Sequence, residues 1–234
     1  MSESRLTPVA PDVWQAHHPL SFYGLSMTAC MTVVRLASGG LWIHSPIALS
    51  ADLKADLDRL GPVEYIVAPN RYHHLFALAC LSNYPAAQLY AAKGLAAKNA
   101  AFAPFPVIPV DAGHPAPWSG QLDSVFVKGN AEMNETVFFH RPSRTLIITD
   151  LAVHLGPWDT LATRLYARIN GCYDRLGQTL LLRSLYRDRK ATRGSLDRIL
   201  AWDFVRVVPA HGPVIEHEAR AAFEQAFAWL LRSS

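Results

Sequence analysis

Cysteine is scarce in this sequence: Cys30, Cys80 and Cys172 are the only three, far apart in 234 residues. An odd number without Cys-x-x-Cys spacing excludes a disulfide framework and a thiolate zinc site, and their apolar surroundings mark them as core residues. Charge of one sign is also in short supply. The chain has 22 Lys and Arg against 19 Asp and Glu, a net +3 that is too small to argue for nucleic acid or an anionic membrane. No apolar run reaches the roughly 18 residues of a membrane helix, and Met1 to Pro11 has no apolar segment of signal-peptide length. Repeats, low-complexity tracts and linkers are missing as well. The expectation is a soluble cytoplasmic protein with a small-molecule substrate and no nucleic-acid or membrane partner, its oligomeric state open. With 50% hydrophobic residues, the 234 positions suffice for one domain over 1–234.

What the sequence does have is four strand-like runs that each end in a group able to bind a metal or move a proton. Val63 to Ala68 runs into Asn70-Arg71-Tyr72-His73-His74, and Leu122 to Lys128 into Gly129-Asn130. Thr145 to Thr149 ends at Asp150, and Phe204 to Val208 at Pro209-Ala210-His211-Gly212. Side chains that leave the same end of neighbouring strands can converge, because a sheet holds its loops as a rigid rim.

The elements between these runs mix helices with hairpins. Met31 to Leu36 and Leu41 to His44 flank the glycine turn at Gly39-Gly40 and read as a hairpin. Ser50 is placed to cap a helix whose Leu53, Leu57 and Leu60 share one face, with Gly61 to stop it. Phe105 to Pro109, with its two prolines, suits an edge or connecting segment. Val137 to His140 and Thr145 to Thr149 form a second hairpin around Arg141-Pro-Ser-Arg144. From Trp158 to about Arg189 the composition predicts a helical run, followed by a shorter helix capped by Ser195; together they make a helical insertion over about 158–203. A final helix is expected from about Glu216 to Leu231.

The opening hairpin, the loop at Asn70 to His74, the strand ending Ile148-Thr149-Asp150 and the segment Val208-Pro-Ala-His-Gly212 resemble, in order and spacing, the metallo-β-lactamase superfamily. The likeness runs from about Met31 to His211 and is nearest to a branch with a His-Ser-Pro segment, here His44-Ser45-Pro46, and a degenerate metal motif. The resemblance implies an α/β fold, the αββα sandwich with metal ligands on the loops at one edge. Against the superfamily's His-x-His-x-Asp-His, the first two histidine positions fall on Pro69 and Arg71. A further histidine position falls on or near Asn130.

By that resemblance the three-histidine metal site is lost, and the second site keeps His74, Asp150 and His211 with His73 in place of its aspartate; a register shifted by one residue instead puts His73 in the final histidine position and Tyr72 in the aspartate position and releases His74. Such a set implies one Zn²⁺ or Fe²⁺ ion, or none. Arg71 stands where a ligand is lost; a fixed cation there disfavours a second divalent ion and can hold an anionic substrate group. Two readings stay open. One is a hydrolase acting on a small ester, thioester, lactone or phosphoester, with Asp150 and Arg71 as catalytic groups and His73, His74, Asp150 and His211 as metal ligands. The other is a metal-free, non-catalytic ligand-binding or scaffold protein. Glu132 and Glu135 are candidates to restore a lost ligand, and His140 and His154 to approach the rim, although each also fits an ordinary surface or core position. His17, His18, His44, His114 and His217 have no partner at ligand spacing and receive no role.

Overall fold

The structure, a computed structural model, describes residues 5–22, 24–110 and 115–231; His114 lies outside them. It begins with a meander, β1 (Thr7–Ala10), β2 (Val13–Phe22), β3 (Leu25–Arg35) and β4 (Leu41–His44). Three parallel additions follow: helix α1 (Ala51–Leu60) leads to β5 (Val63–Ala68), α2 (Ala77–Asn83) to β6 (Gln88–Ala91), and α3 (Leu95–Lys98) to β7 (Val107–Pro109). These seven strands form one sheet in sequence order. The predicted opening hairpin is therefore β3–β4, extended by two strands that the polar, proline-bearing N-terminal sequence did not signal. Ser50 caps α1 as expected, its hydroxyl accepting from the Leu53 N–H, and Gly61 closes the helix. Val107 to Pro109 is the edge strand that its prolines allow.

The second half builds a four-stranded sheet. β8 (Leu122–Phe126), β9 (Thr136–His140) and β10 (Thr145–Ile148) form a meander, and β13 (Arg206–Pro209) adds parallel to β10, giving the order β13-β10-β9-β8. Between β10 and β13 lie a small pair, β11 (Val153–Leu155) with β12 (Arg175–Gly177), and three helices, α4 (Leu161–Ile169), α5 (Leu180–Ser184) and α6 (Arg189–Leu200). The predicted helical run from Trp158 is thus broken: Asn170 ends α4, Gly171 turns the chain with φ +68°, and β12 follows. Ser195 lies inside α6, and the cap is Asp188, whose carboxylate accepts from the Ala191 N–H. The C-terminal helix is two pieces, α7 (Ala219–Ala226) and α8 (Ala228–Leu231).

Strand alternation sorts the side chains into layers. Trp42, Val67, Phe138 and Ile147 point between the sheets. Ile43, Ile66 and Leu89 face the other way, under α1 and α2 with Leu53, Leu57 and Cys80. On the far side, Val137, Leu146 and Val207 pack under Leu196, Phe223 and Phe227. This is the αββα sandwich. All three cysteines are free and buried, and no helix among the described residues is long and apolar enough to cross a membrane.

Candidate functional site

Register brings the first two site residues together. Ile148 on β10 pairs with Pro209 on the parallel strand β13, so Asp150 and His211, each two residues further on, leave the same edge side by side. The four-stranded sheet is tied to its partner at this edge. The Cys30 N–H donates to the Ala210 carbonyl at 2.8 Å, and His211 Nδ1 lies 2.9 Å from the Thr28 carbonyl oxygen. A carbonyl only accepts, so Nδ1 carries the proton and His211 turns Nε2 inward.

His73 arrives from the other sheet. After β5 the Asn70 side chain folds the chain back, its Oδ1 accepting from the Tyr72 and His73 backbone N–H groups at 2.9 and 2.8 Å. The same amide donates through Nδ2 to Asp150 Oδ2 at 2.8 Å, with Thr149 Oγ1 at 3.0 Å and Glu135 Oε2 at 3.3 Å. One buried asparagine thus links the turn that carries His73 to Asp150. His73 Nδ1 lies 2.6 Å from the Ser45 hydroxyl, and Ser45 holds φ +54° in a buried position directly after β4. Such backbone strain inside a core persists where its surroundings enforce it.

The result is a centre of three groups. His73 Nε2 and His211 Nε2 are 3.1 Å apart, and Asp150 sets Oδ2 at 3.3 Å from the first and Oδ1 at 3.4 Å from the second. Ligands at about 2.0–2.2 Å around a tetrahedral ion have edges of roughly 3.3–3.6 Å, so two imidazoles and a carboxylate at this spacing fit Zn²⁺ or Fe²⁺ with little adjustment. Both Nδ1 atoms face a fixed oxygen, the arrangement that leaves Nε2 lone pairs for an ion. Electrostatics agree. Burial pushes Asp150 up, but His73 and His211 outweigh it and hold the carboxylate well below its usual range. Burial pushes His211 down, yet its bond to Asp150 wins and the imidazole sits above its ordinary value. Positive charge is favoured between them, as a proton or a cation.

The fourth expected ligand is elsewhere. The His74 ring stacks on Phe102 with centroids 5.6 Å apart and planes at 14°, and only His73, Asp150 and His211 form the group of converging donors among the described residues. Burial, then Lys98 and His73, lower the His74 pKa, as suits a neutral packed ring. Arg71 is turned into the loop wall, where its guanidinium donates to the Ala131 carbonyl at 3.0 Å. Asn130 is buried and caps its own loop, accepting from the Met133 N–H.

Glu132 is exposed, whereas Glu135 is buried beside the centre and accepts from the Thr149 N–H at 2.8 Å. Burial and then Asp150 push the Glu135 carboxyl up to about 7. His154 backs the His211 loop, donating its N–H to the His211 carbonyl, and His140 lies at the other end of the sandwich beside Ser143. Asn70 and Ser45 are the site residues that sequence reasoning passed over. The available signals were their position, each in the first two residues after a buried parallel strand, and their place in the Asn70 to His74 loop and the His44-Ser45-Pro46 segment.

Three solved structures illustrate the fold. A metallo-beta-lactamase from Pontibacter korlensis is 15% identical, with 99% of this chain and 100% of that one covered at a TM-score of 0.66. A metal-soaked Flv1 flavodiiron core from Synechocystis sp. PCC6803 is 14% identical over 97% of this chain and 61% of that one, at 0.66. FIM-1 from Pseudomonas aeruginosa in its mono-zinc form is 13% identical over 97% and 96%, at 0.62. No curated protein matches. A family model described as a domain of unknown function (DUF4336) matches residues 11–162. The chain therefore has the metallo-β-lactamase fold and belongs to the DUF4336 family.

Proposed function

We propose that this protein is a metal-dependent hydrolase that holds a single Zn²⁺ or Fe²⁺ at His73, Asp150 and His211 and acts on a small ester, thioester, lactone or phosphoester. The observation that carries the reading is the convergence of two Nε2 atoms and one carboxylate, gathered from residues 73, 150 and 211 at mutual distances of 3.1–3.4 Å. The mono-zinc form of FIM-1 and the metal-soaked Flv1 core, both of this fold, add support. When bound, such an ion polarises a carbonyl or phosphoryl oxygen and lowers the pKa of a water.

The chain's own groups do the rest. Asp150, ionised and fixed by the Asn70 amide, orients a water through a carboxylate oxygen. Glu135, poised near neutrality one amide away, stores or returns a proton close to Asp150. Ser45 and the Thr28 carbonyl hold the two imidazoles by their Nδ1 atoms.

A second reading, a metal-free binding or scaffold protein, has one observation in its favour: a protonated His211 paired with Asp150 satisfies the centre without an ion. Elemental analysis of protein purified without added metal separates the two. The hydrolase reading expects about one equivalent, lost in His211→Ala. Less than about a tenth of an equivalent, even after Zn²⁺ or Fe²⁺ is supplied, selects the second.

A further inference from the structure

Helix α4 is amphipathic in the inverted sense. Its buried face is made of small residues, Thr163 and Ala167, with the Thr163 hydroxyl donating to the Ser26 carbonyl at 2.7 Å. Its large apolar residues face outward. Leu161, Leu165 and Ile169, at spacings of four, are 75%, 57% and 70% exposed. The start of α5 continues this row: Leu180 and Leu181 are 59% and 62% exposed, and the Leu180 N–H donates to the Asn170 side chain that ends α4. Trp158, 46% exposed, extends the row at the other end. Together the six expose on the order of 700 Å² of apolar surface, beyond the patch of an ordinary monomer.

We infer that this face is the interface of a two-fold dimer, with α4 of one copy lying against α4 of the other. Three observations select a second copy of the chain. The exposed area is close to the roughly 800 Å² per partner of a standard stable interface. An i, i+4, i+8 ridge is self-complementary, because such ridges interdigitate when two helices cross, and a two-fold axis near Leu165 sets Leu161 of each copy against Ile169 of its mate. An anionic lipid surface asks instead for a fringe of outward-reaching cations. Of the four arginines in 158–183, three are folded back: Arg168 lies over the Tyr173 ring at 3.9 Å, Arg175 donates to the Gly171 carbonyl at 2.6 Å and Arg183 lies over Trp229; the fourth, Arg164, is half-buried with its Nε enclosed. The segment 158–183 has no lysine, and α4 and α5 have 9 and 5 residues, short for helices that lie in a bilayer interface.

The interface adjoins the candidate centre. Trp158 packs edge-on to His154 at 5.1 Å, and His154 donates its N–H to the His211 carbonyl. A partner copy seated on Trp158 and Leu161 therefore stands beside the His211 loop.

Sedimentation velocity and light scattering of the full chain test the inference. The expected mass is about twice the 25.9 kDa of one chain. In Leu165→Glu/Ile169→Glu it falls to one chain, with the circular dichroism spectrum unchanged. Leu165→Cys, next to the axis, should cross-link between copies under mild oxidation, the native cysteines being buried. A monomer at every concentration up to about 100 µM, well above the Kd of a standard interface, overturns the inference. So does a dimer that survives the double substitution and leaves Leu165→Cys uncross-linked, or a monomer that sediments with vesicles of anionic lipid.

Discussion

Replacing Asn70 by alanine tests whether one amide organises the centre. The substitution removes contacts of 2.8–3.3 Å to Asp150, Thr149, Glu135 and the backbone N–H groups of Tyr72 and His73. Two hydrogens serve the three acceptors, so about four hydrogen bonds are lost in effect. Ordinary ones contribute about 1 kcal/mol each and the one to an ionised carboxylate about 1.5–3, giving a cost of roughly 5 kcal/mol. In a chain of 234 residues that lowers Tm by on the order of 10 °C. The assay is thermal and urea unfolding followed by tryptophan fluorescence, in EDTA so that bound ions do not contribute. Asn70→Asp sharpens it, because Oδ1 still serves the turn while a third carboxylate faces Asp150 and Glu135. This variant should be at least as unstable at pH 7.5 and recover part of the loss near pH 5, as a proton enters the cluster. An alanine variant melting within about 2 °C of wild type would refute the argument.

Other perturbations probe neighbouring contacts. Ser45→Ala should weaken Zn²⁺ or Co²⁺ binding about 10–100-fold by calorimetry, through loss of the Nδ1 partner of His73, whereas His74→Ala should change it less than about threefold. Burial, with a smaller contribution from His73, lowers the His44 pKa to about 3. The unfolded chain then takes up a proton below about pH 6.5 that the folded chain refuses, so the contribution of His44 is full above that pH and is lost as pH falls toward 3. Glu135, pushed up to about 7, acts in the opposite sense. The informative quantity is therefore the difference between wild type and His44→Gln, which should shrink by up to about 2 kcal/mol between pH 7.5 and 5 in urea titrations. Gly212→Ala should lose at least about 2 kcal/mol, because φ is +102° and a Cβ would overlap the His154 carbonyl oxygen. A melting temperature equal to wild type would count against that contact.

The strands were legible as short apolar or alternating runs with distinct ends, the αββα arrangement came from the resemblance of their end motifs to the metallo-β-lactamase superfamily, and Asp150 and His211 follow two of those strands within two residues. Parallel register then made them neighbours without further information. His73 against His74 was not decidable in the same way. Both follow the same strand, and the choice depends on an Asn70 turn and on a distant ring, Phe102, that takes His74 away. Ser45 was hidden for a similar reason: its backbone φ and its reach to residue 73 are tertiary facts. The broken helical block shows the limit of composition, since Leu and Arg occur in α4, in α5 and in the stretch between them, while Asn170 and Gly171 decide the path.

The two halves of the chain meet like the leaves of a closed book. Residues 7–109 make one leaf and residues 122–209 the other, and the centre lies across the gap, His73 on the first leaf and Asp150 with His211 on the second. Neither leaf alone owns a complete set of donors. Anything that clasps all three groups grips only the shut form and fastens the covers together, raising global stability by its own binding free energy.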